Sequence, residues 1–311
     1  MKKMLVTGGS VFVSKFIAEY FAGNDFEVFV LNRNTRPQAK GTKLIEADRN
    51  NLGSALKGLF FDIVVDVSAY TKADAENLLN AFDSIESCGR EKYIFISSSA
   101  VYPETNPQPF NESGPTGKNI FWKDYGVNKL QAEKYLLLKK QNLHIIRPPY
   151  LYGPMNNVYR EAFVFECAEK DRPFYLPKDG AMKLQFFYIE DLCKIIGEII
   201  KEKSAPQILN VGNEESISAL DWVKICYEIA GATLRVKNIY DSIEQRNYFP
   251  FYDYEYALDV SLQKKMLPAT KSLKDGLKES YEWYKRNREQ VRKKDFIEFI
   301  DENFQKENGM R

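Results

Sequence analysis

The sequence predicts an α/β protein built on a doubly wound parallel sheet, and three observations lead to this fold class. Short apolar stretches alternate with stretches of helical periodicity in the first half of the chain. A glycine-rich turn joins the first apolar stretch to the first helical one. The 311 residues are 44% apolar, which is enough for a sizeable core. Strands that alternate with helices in this way are typical of a parallel sheet with helices on both faces.

The predicted strands of the first half are short runs of apolar and β-branched residues. They cover residues 4–7, 27–31, 43–46, 63–67, 93–97 and 143–146. The first helix, Phe12–Ala22, closely follows the turn Gly8-Gly9-Ser10. A glycine turn in this position aims backbone N–H groups and the positive end of a helix dipole at a diphosphate. Residues 1–154 are therefore predicted to form a dinucleotide-binding domain.

The rest of the chain is predicted to be a smaller domain with less regular structure. Helical periodicity extends over residues 158–170, 190–203 and 219–231, and an amphipathic helix is expected from about residue 285 onward. A short apolar run near residues 208–211 is predicted to return to the main sheet. We therefore expect residues 155–311 to form mainly a substrate-binding domain with a charged C-terminal helix.

Composition and charge argue against several classes of function. The 44 basic and 43 acidic residues leave a net charge of +1, which gives no electrostatic reason to expect nucleic-acid or membrane binding. No segment is long and apolar enough to span a bilayer, and the first residues lack the apolar core of a secretory signal. The four cysteines stand far apart without zinc-ligand spacing. We expect a reduced, cytoplasmic protein without a bound metal.

Tyr125 and Lys129 are candidate catalytic residues because of their spacing. A free tyrosine has a pKa of about 10, so its phenolate needs a nearby cation to act as a base at neutral pH. Residues four apart lie on one face of a helix, which brings the Lys129 ammonium near the Tyr125 phenol. Upstream, Ser97-Ser98-Ser99 closes an apolar strand, and the Ser98 hydroxyl could bind the same substrate oxygen. By itself, the tyrosine–lysine spacing also fits an ordinary surface helix.

Together these motifs resemble the extended short-chain dehydrogenase/reductases, in particular the NAD-dependent epimerase/dehydratase group that acts on nucleotide sugars. The resemblance covers nearly the whole chain. Besides Tyr125 and Lys129, the matching segments are 7–13 (Thr-Gly-Gly-Ser-Val-Phe-Val), 93–102, 147–154 (Arg-Pro-Pro-Tyr-Leu-Tyr-Gly-Pro), 187–192, 209–213 and 276–280. It implies a Rossmann-type fold that binds NAD or NADP and a small-molecule substrate such as a nucleotide sugar. It also implies a homodimer.

The resemblance assigns roles to single residues. It implies that Tyr125 is the acid/base, that Lys129 lowers the pKa of Tyr125 and holds the nicotinamide ribose, and that Ser98 orients the substrate hydroxyl or ketone. An alignment shifted by one residue would give this role to Ser97 or Ser99 instead. The residues that the resemblance places in the cofactor loop are Gly8, Gly9, Ser10, Phe12 and Val13.

Three departures from the family's pattern concern the cofactor. Val11 and Ser14 stand where glycines usually admit the pyrophosphate and let the helix pack on the strand, so binding could be weakened, shifted or lost. Asn32 and Arg33 end the second strand where an acidic residue would bind the ribose of NAD, and Arg33 could instead meet the 2′-phosphate of NADP. Asp48 matches the position that contacts adenine. The sequence leaves both cofactors open.

Further departures narrow the reaction. Ser98 is followed by a serine and then Ala100 rather than by the acidic pair of the dehydratases, which disfavours dehydration. The extra cysteine and histidine of relatives that epimerise beside a ketone are not matched, and His144 is interpreted as structural. What remains is 4-epimerisation or carbonyl reduction. Leu184 and Gln185 replace the Arg-Asp pair that such relatives place near the substrate diphosphate.

A binding protein is the alternative function class. The altered glycine turn is also expected if the fold survives as a catalytically relaxed module that binds RNA or a regulatory nucleotide. The complete set of Ser98, Tyr125 and Lys129 favours an enzyme, and the balanced net charge argues against RNA.

Overall fold

The structure, a computed structural model, describes residues 1–24 and 26–304. These residues divide into two units, each made of several chain segments. The first, here called the sheet unit, comprises Met1–Leu151, Phe186–Glu214 and Ala257–Lys271. The second unit comprises Tyr152–Gln185, Glu215–Tyr256 and the described part of Ser272–Arg311. The chain therefore leaves the sheet unit and returns to it twice.

Thirteen strands and nine α-helices are formed by the described residues. The strands are β1 (Lys2–Thr7), β2 (Phe26–Asn32), β3 (Lys43–Glu46), β4 (Phe61–Asp66), β5 (Cys88–Ile96), β6 (Leu143–Arg147), β7 (Tyr150–Tyr152), β8 (Phe174–Pro177), β9 (Lys183–Leu184), β10 (Phe186–Tyr188), β11 (Ile208–Asn210), β12 (Ile217–Ser218) and β13 (Val236–Ile239). The helices are α1 (Phe12–Ala22), α2 (Lys72–Asn80), α3 (Lys123–Lys139), α4 (Glu161–Glu169), α5 (Ile189–Lys201), α6 (Ala219–Ile229), α7 (Ser261–Met266), α8 (Leu273–Arg286) and α9 (Phe296–Asn303).

The sheet unit is built on a seven-stranded sheet of described residues in the order β11-β6-β5-β4-β1-β2-β3. Every neighbouring pair of strands is parallel. The strand order reverses between β1 and β4, where Thr7 and Asp66 are the last residues of the two strands. The predicted fold class, a doubly wound parallel sheet of Rossmann type, is confirmed. In such sheets ligands bind at this switch point, outside the carboxyl ends of the strands.

Burial explains why the strands are continuous apolar runs. Leu5, Val64, Phe95 and Ile145 are fully buried in one cluster with residues of α2 and α3. Helix α1 packs on β1, β2 and α5. Strands covered by helices on both faces bury successive side chains on alternate sides, so neither face has to be polar. Each large apolar side chain buried in this way contributes about 1.5–3 kcal/mol.

The observed strands lie where the sequence predicts them, with ends that differ by a few residues. Helix α1 has the predicted bounds Phe12–Ala22. Strand β5 begins at Cys88, earlier than predicted, and its register against β4 is irregular beside Phe61. The short apolar run near residues 208–211 is β11, which pairs with β6.

In the second unit, two short two-stranded sheets accompany a group of helices. Strand β8 pairs with β13 in parallel, and β9 pairs with β12 in antiparallel fashion. Helices α4, α6 and α8 pack on one another. The ring of Phe296 in α9 stacks on Tyr159 at 5.8 Å and lies 5.0 Å from Phe163. Aromatic packing of this kind anchors the last helix to its unit.

The amphipathic helix predicted from about residue 285 is interrupted. Helix α8 ends at Arg286 and α9 begins at Phe296. Between them the Arg292 N–H donates to the Asn157 carbonyl at 2.9 Å, so this stretch bonds to another segment instead of continuing a helix. The predicted apolar stripe is partly kept, because Phe296 and Ile300 are buried. Residues 305–311 lie outside the described residues.

None of the helices in residues 1–24 and 26–304 combines the length and the apolar character needed to cross a bilayer.

Candidate active site

The glycine turn after β1 fits tightly between β2 and α1. Gly8 and Gly9 have φ angles of 95° and 84°, which L side chains rarely adopt. A Cβ on Gly9 would lie 2.3 Å from Val30 Cγ1, and one on Gly8 would lie 2.7 Å from Ser14 Oγ. Both glycines are therefore required by the turn itself. Gly8 also lies against Ser14, one of the two residues of this loop that depart from the family's pattern.

Val11, the other departure in this loop, has an ordinary backbone conformation, whereas the next residue, Phe12, has a φ of 31°. Val11 precedes α1 with φ −142° and ψ 138°, an extended conformation open to any residue. Its side chain makes no capping hydrogen bond to the helix. In the same loop Phe12 is buried, whereas Ser10 and Val13 are half-buried. The uncapped amino end of α1 can therefore receive an anion from its backbone N–H groups.

The end of β2 brings three predicted cofactor residues to the same edge. The Asn32 Nδ2 group donates to the Gly8 carbonyl at 2.6 Å, which ties β2 to the glycine turn. Arg33 and Asp48 approach each other, with 4.0 Å between Arg33 Nη1 and Asp48 Oδ2. Their side chains are 68% and 43% exposed, so both stay available to a ligand.

Behind the turn, Asp66 organises a buried network that the sequence analysis missed. Its carboxylate accepts hydrogen bonds from Thr7 Oγ1 at 2.7 Å, from the Tyr93 hydroxyl at 2.7 Å and from both terminal nitrogens of Arg49 at 2.7 and 2.8 Å. Burial alone would raise the pKa of Asp66, but the charge of Arg49 and these hydrogen bonds hold it below its ordinary value. The Thr7 hydrogen bond joins the carboxyl ends of β1 and β4, and the Arg49–Asp66 ion pair ties β4 to the chain that follows β3.

Ser98 is the partly exposed member of the serine cluster. It caps a short 3-10 helix, Ser99–Val101, by accepting a hydrogen bond from the Ala100 N–H at 3.2 Å. Ser97 and Ser99 are buried at 4% exposure each, and the Ser97 hydroxyl donates to Glu133. Ser98 is therefore the hydroxyl of the three that is placed to meet a substrate.

Helix α3 carries Tyr125 and Lys129 and touches the serine turn at Gly126. A Cβ on Gly126 would lie only 2.1 Å from the Ala100 carbonyl oxygen, so the helix and the turn approach as closely as a glycine permits. This contact brings the segment of Ser98 to the amino end of the helix. The sequence signal for it is a glycine within a helical run, which is usually a close packing point.

Lys129 is buried and fastened to the carboxyl end of β5. Its Nζ atom donates to the Ile96 carbonyl at 2.8 Å and to the Ala69 carbonyl at 2.7 Å. Burial lowers the pKa of the Lys129 ammonium to about 8, although the negative charges of Asp66 and Glu133 act in the opposite direction. Tyr125 on the same helix is 38% exposed. Lys129 is thus a poorly solvated cation behind an accessible phenol.

Aromatic side chains surround Tyr125. Ring centroids of Tyr70 and Trp122 lie 6.2 and 6.5 Å from the Tyr125 ring. The ring centroid of Trp122 lies 6.1 Å from that of Tyr150, which in turn lies 6.1 Å from that of Phe186. These rings form an aromatic wall along one side of Tyr125, whose phenol stays accessible to a ligand.

A second buried network, also missed from the sequence, supports the serine turn from behind. The Arg147 guanidinium donates to both carboxylate oxygens of Glu133, at 3.0 and 2.6 Å, and to the Tyr102 hydroxyl at 2.8 Å. Tyr102 in turn donates to Asn210 at 2.8 Å. Glu133 lies two helical turns from Tyr125, on the face that also carries Lys129. The four-residue spacing of Tyr125, Lys129 and Glu133 was the signal in the sequence that could have identified Glu133.

We predict that Gly126→Ala destabilises the fold by about 1–3 kcal/mol, because the new methyl group meets a backbone carbonyl that cannot rotate away. Ala is the better helix former by about 0.5–1 kcal/mol, so the clash has to outweigh that gain. The matched control is Gly197→Ala in α5, where a Cβ meets nothing within 4 Å and stabilisation is expected. Urea unfolding measures both; a Gly126→Ala protein as stable as wild type would contradict the close contact.

We predict that the wild type gains stability relative to Lys129→Met as the pH rises above about 8. Below that pH the ammonium is charged in both the folded and the unfolded chain. Between the folded pKa of about 8 and the ordinary 10.5, the unfolded chain holds the extra proton, so alkali favours folding. The difference should grow by up to about 1.4 kcal/mol per pH unit. Urea unfolding of both proteins at neutral and alkaline pH tests this, and parallel profiles would contradict it.

Comparison with known proteins identifies a family and several relatives that share this fold. The sequence model of the NAD dependent epimerase/dehydratase family matches residues 4–212. The chloroplast stem-loop binding protein of 41 kDa b of Arabidopsis thaliana is 26% identical over 305 residues, which cover 90% of this chain and 78% of that protein.

Two solved structures share the fold. One is a dTDP-glucose 4,6-dehydratase of Bacillus anthracis in complex with NAD, with a TM-score of 0.74 and 16% identity over 94% of this chain and 99% of that one. The other is a UDP-glucose 4-epimerase of Thermotoga maritima with UDP-glucose, with a TM-score of 0.71 and 19% identity over 91% and 99%. From the family match, which spans most of the sheet unit and its glycine turn, the chain belongs to the NAD dependent epimerase/dehydratase family.

Proposed function

We propose that the protein is an NAD(P)-dependent epimerase or carbonyl reductase that acts on a hydroxyl or ketone of a nucleotide sugar or a related small molecule. The observation that carries this proposal is the Gly126 contact with Ala100, because it joins the helix of Tyr125 and Lys129 to the turn of Ser98 at the carboxyl edge of the sheet. The family and its NAD-bound structural neighbours support the same cofactor class.

The residues present fit a nicotinamide dinucleotide. The glycine turn leaves no room for a Cβ at Gly8 or Gly9, and the uncapped amino end of α1 offers N–H groups to a diphosphate. Arg33 and Asp48 stand exposed beside the turn, where Asp48 would meet the adenosine and Arg33 a 2′-phosphate. When bound, the cofactor supplies the acceptor and donor of the hydride.

In the proposed mechanism, the chain's own residues bind the substrate oxygen and move its proton. The Ser98 hydroxyl donates to that oxygen, and the Tyr125 phenolate removes the hydroxyl proton as the ketone forms. Reduction reverses the path, with the Tyr125 phenol returning the proton. Lys129 favours the phenolate because it is a buried cation on the same helix face. Trp122 and Tyr70 lie beside the Tyr125 ring and help to hold its orientation.

Calorimetric titration with NAD, NADH, NADP and NADPH tests the cofactor part of the proposal. Binding at micromolar strength is expected, and the ratio between NAD(H) and NADP(H) defines the role of Arg33. Incubation with UDP-glucose and other nucleotide sugars, followed by NMR of the anomeric protons, tests the reaction. Absence of binding by all four nucleotides would overturn the proposal.

A second candidate function is RNA binding, favoured by the name of the Arabidopsis relative that covers 90% of this chain. In this case the sheet unit would bind a stem-loop, and Tyr125 would have no chemical role. Fluorescence anisotropy with a labelled stem-loop RNA separates the two candidates. Binding that weakens steeply with salt and persists in Tyr125→Phe would favour RNA, whereas nucleotide-sugar turnover favours the enzyme.

A further inference from the structure

A second pocket lies on the sheet unit at the opposite edge from the candidate active site. Its volume is about 560 Å³, within the range of small-molecule sites. It is lined by the amino ends of β1 and β6, by β5 near Lys92, and by the chain from the end of α5 to the start of β11. Lys92 and Ser98 are six residues apart along β5 and its continuation, or about 20 Å at ~3.3 Å per residue. We call this cavity the amino-edge pocket.

The charge of the amino-edge pocket is positive. Its lining includes Lys2, Lys92, Lys201 and Lys203 against Glu91 and Glu202. Two of these lysines are already neutralised, since Lys2 pairs with Glu91 and Lys201 with Glu198. Within residues 1–24 and 26–304, neither Lys92 nor Lys203 has a carboxylate within ion-pairing distance. Among the described residues the pocket therefore offers two lysines outside any ion pair, against the one such carboxylate of its lining, Glu202.

Lys92 is held in place by the chain's single histidine. Its Nζ atom lies 3.1 Å from His144 Nε2 and donates to the Glu202 carbonyl at 2.9 Å. An ammonium is only a donor, so Nε2 accepts and the Nδ1–H of His144 donates to the Pro206 carbonyl at 2.8 Å. His144 is therefore the neutral tautomer. Two of the three ammonium hydrogens are used, and one remains for a ligand.

We propose that the amino-edge pocket binds a phosphate-bearing small molecule, with Lys92 as its fixed cation and Lys203 as a second, exposed one. Lysine binds phosphate as a point charge. The described residues of the lining include no arginine, whose planar guanidinium would bind a carboxylate through two parallel hydrogen bonds. The volume admits a group of nucleotide size, well beyond an inorganic ion. Distance from Tyr125 and Ser98 separates this site from the substrate and cofactor of the proposed reaction.

The environment of Lys92 supports an anionic ligand. Burial is the main reason that the pKa of Lys92 lies below its ordinary value, and burial likewise lowers the pKa of His144. An anion placed against Lys92 would favour the charged form of the lysine. The Lys92 ammonium then continues to donate to His144 Nε2, so binding should keep the chain's one histidine neutral while changing the surroundings of its ring.

A single histidine gives an unambiguous NMR probe. Protein labelled with ¹³C at histidine Cε1 is titrated with pyrophosphate, with and without excess NAD, and the one ring signal is followed. We expect a saturable shift of this signal that excess NAD does not abolish. A shift that does not saturate, or that NAD removes, would overturn the proposal, because the ion would then be adventitious or in the cofactor site.

Variants test the assignment without relying on turnover. Lys92→Met and Lys203→Gln are each expected to weaken pyrophosphate binding, measured by calorimetry, by about ten- to hundredfold for Lys92 and less for Lys203. Lys224→Met, an exposed lysine of α6 paired with Asp221, is the matched control and should bind as wild type does. Unchanged affinity in both pocket variants would overturn the site. Equal binding of citrate and pyrophosphate would overturn its phosphate selectivity.

Discussion

Tyr125→Phe is expected to lower kcat by about 10²–10⁴-fold, which removes most of the turnover. The affinity for nicotinamide nucleotides should stay within about twofold of the wild type. The substitution removes only the hydroxyl that accepts the substrate proton. The ring that contacts Tyr70 and Trp122 remains, so the aromatic wall and the fold are preserved. Steady-state kinetics on the substrate found by the nucleotide-sugar screen, together with calorimetric Kd values, measures both quantities.

A matched control is available on the same helix. Tyr135→Phe removes a hydroxyl from another tyrosine of α3, whose ring contacts Lys72, and should leave kcat unchanged. A pH profile strengthens the comparison, since the wild-type rate should depend on an ionisation that Tyr125→Phe no longer shows. If Tyr125→Phe turns over as fast as Tyr135→Phe, the proton passes through a different group and the assigned role is wrong.

Glu133→Gln is expected to lower the free energy of unfolding by about 3–5 kcal/mol, the usual cost of leaving a buried charge without its partner. Glu133 and Arg147 are 1% and 3% exposed at their side chains and form a paired contact of two hydrogen bonds. Burial alone would lower the pKa of Arg147, and Glu133 raises it above its ordinary value. A guanidinium keeps its proton at neutral pH even without this partner, so the variant leaves a buried charge unpaired. Glutamine keeps the shape of the side chain but not its charge.

Glu198→Gln is the control for this prediction. Glu198 pairs with Lys201 on the exposed face of α5, where an ion pair contributes at most about 1 kcal/mol. Urea unfolding of the two variants at neutral pH gives the comparison. A cost for Glu133→Gln no larger than that of Glu198→Gln would mean that water or a rearranged side chain compensates Arg147.

Much of the fold was accessible from the sequence because a parallel sheet buries both of its faces. Strands such as Lys2–Thr7 and Phe61–Asp66 are therefore short apolar runs that differ from the helices between them. The turn Gly8-Gly9 marks the end of β1 since both residues need positive φ angles. The interruption of the C-terminal helix was not predictable, because the partner of Arg292 is the distant Asn157.

The candidate site was accessible only in part. Ser98, Tyr125 and Lys129 were named from spacing and from resemblance, and the structure places their segments together through Gly126. The buried pairs Arg49–Asp66 and Glu133–Arg147 were missed, because a charged residue in a sequence has the same signature whether it is solvated or paired across elements. Their partners are separated along the chain, and helix periodicity does not carry that information.

The order in which the sheet unit receives its segments matters during protein synthesis. Its edge strand β11, Ile208–Asn210, begins roughly 60 residues after the end of β6 at Arg147, so it is translated about 3–12 s later at ~5–20 residues per second. Until β11 emerges, β6 is the edge of the nascent sheet with unpaired N–H and C=O groups. The nascent chain therefore exposes an unpaired edge strand at the ribosome. A chaperone that shields β6 during this interval would raise the yield of folded protein.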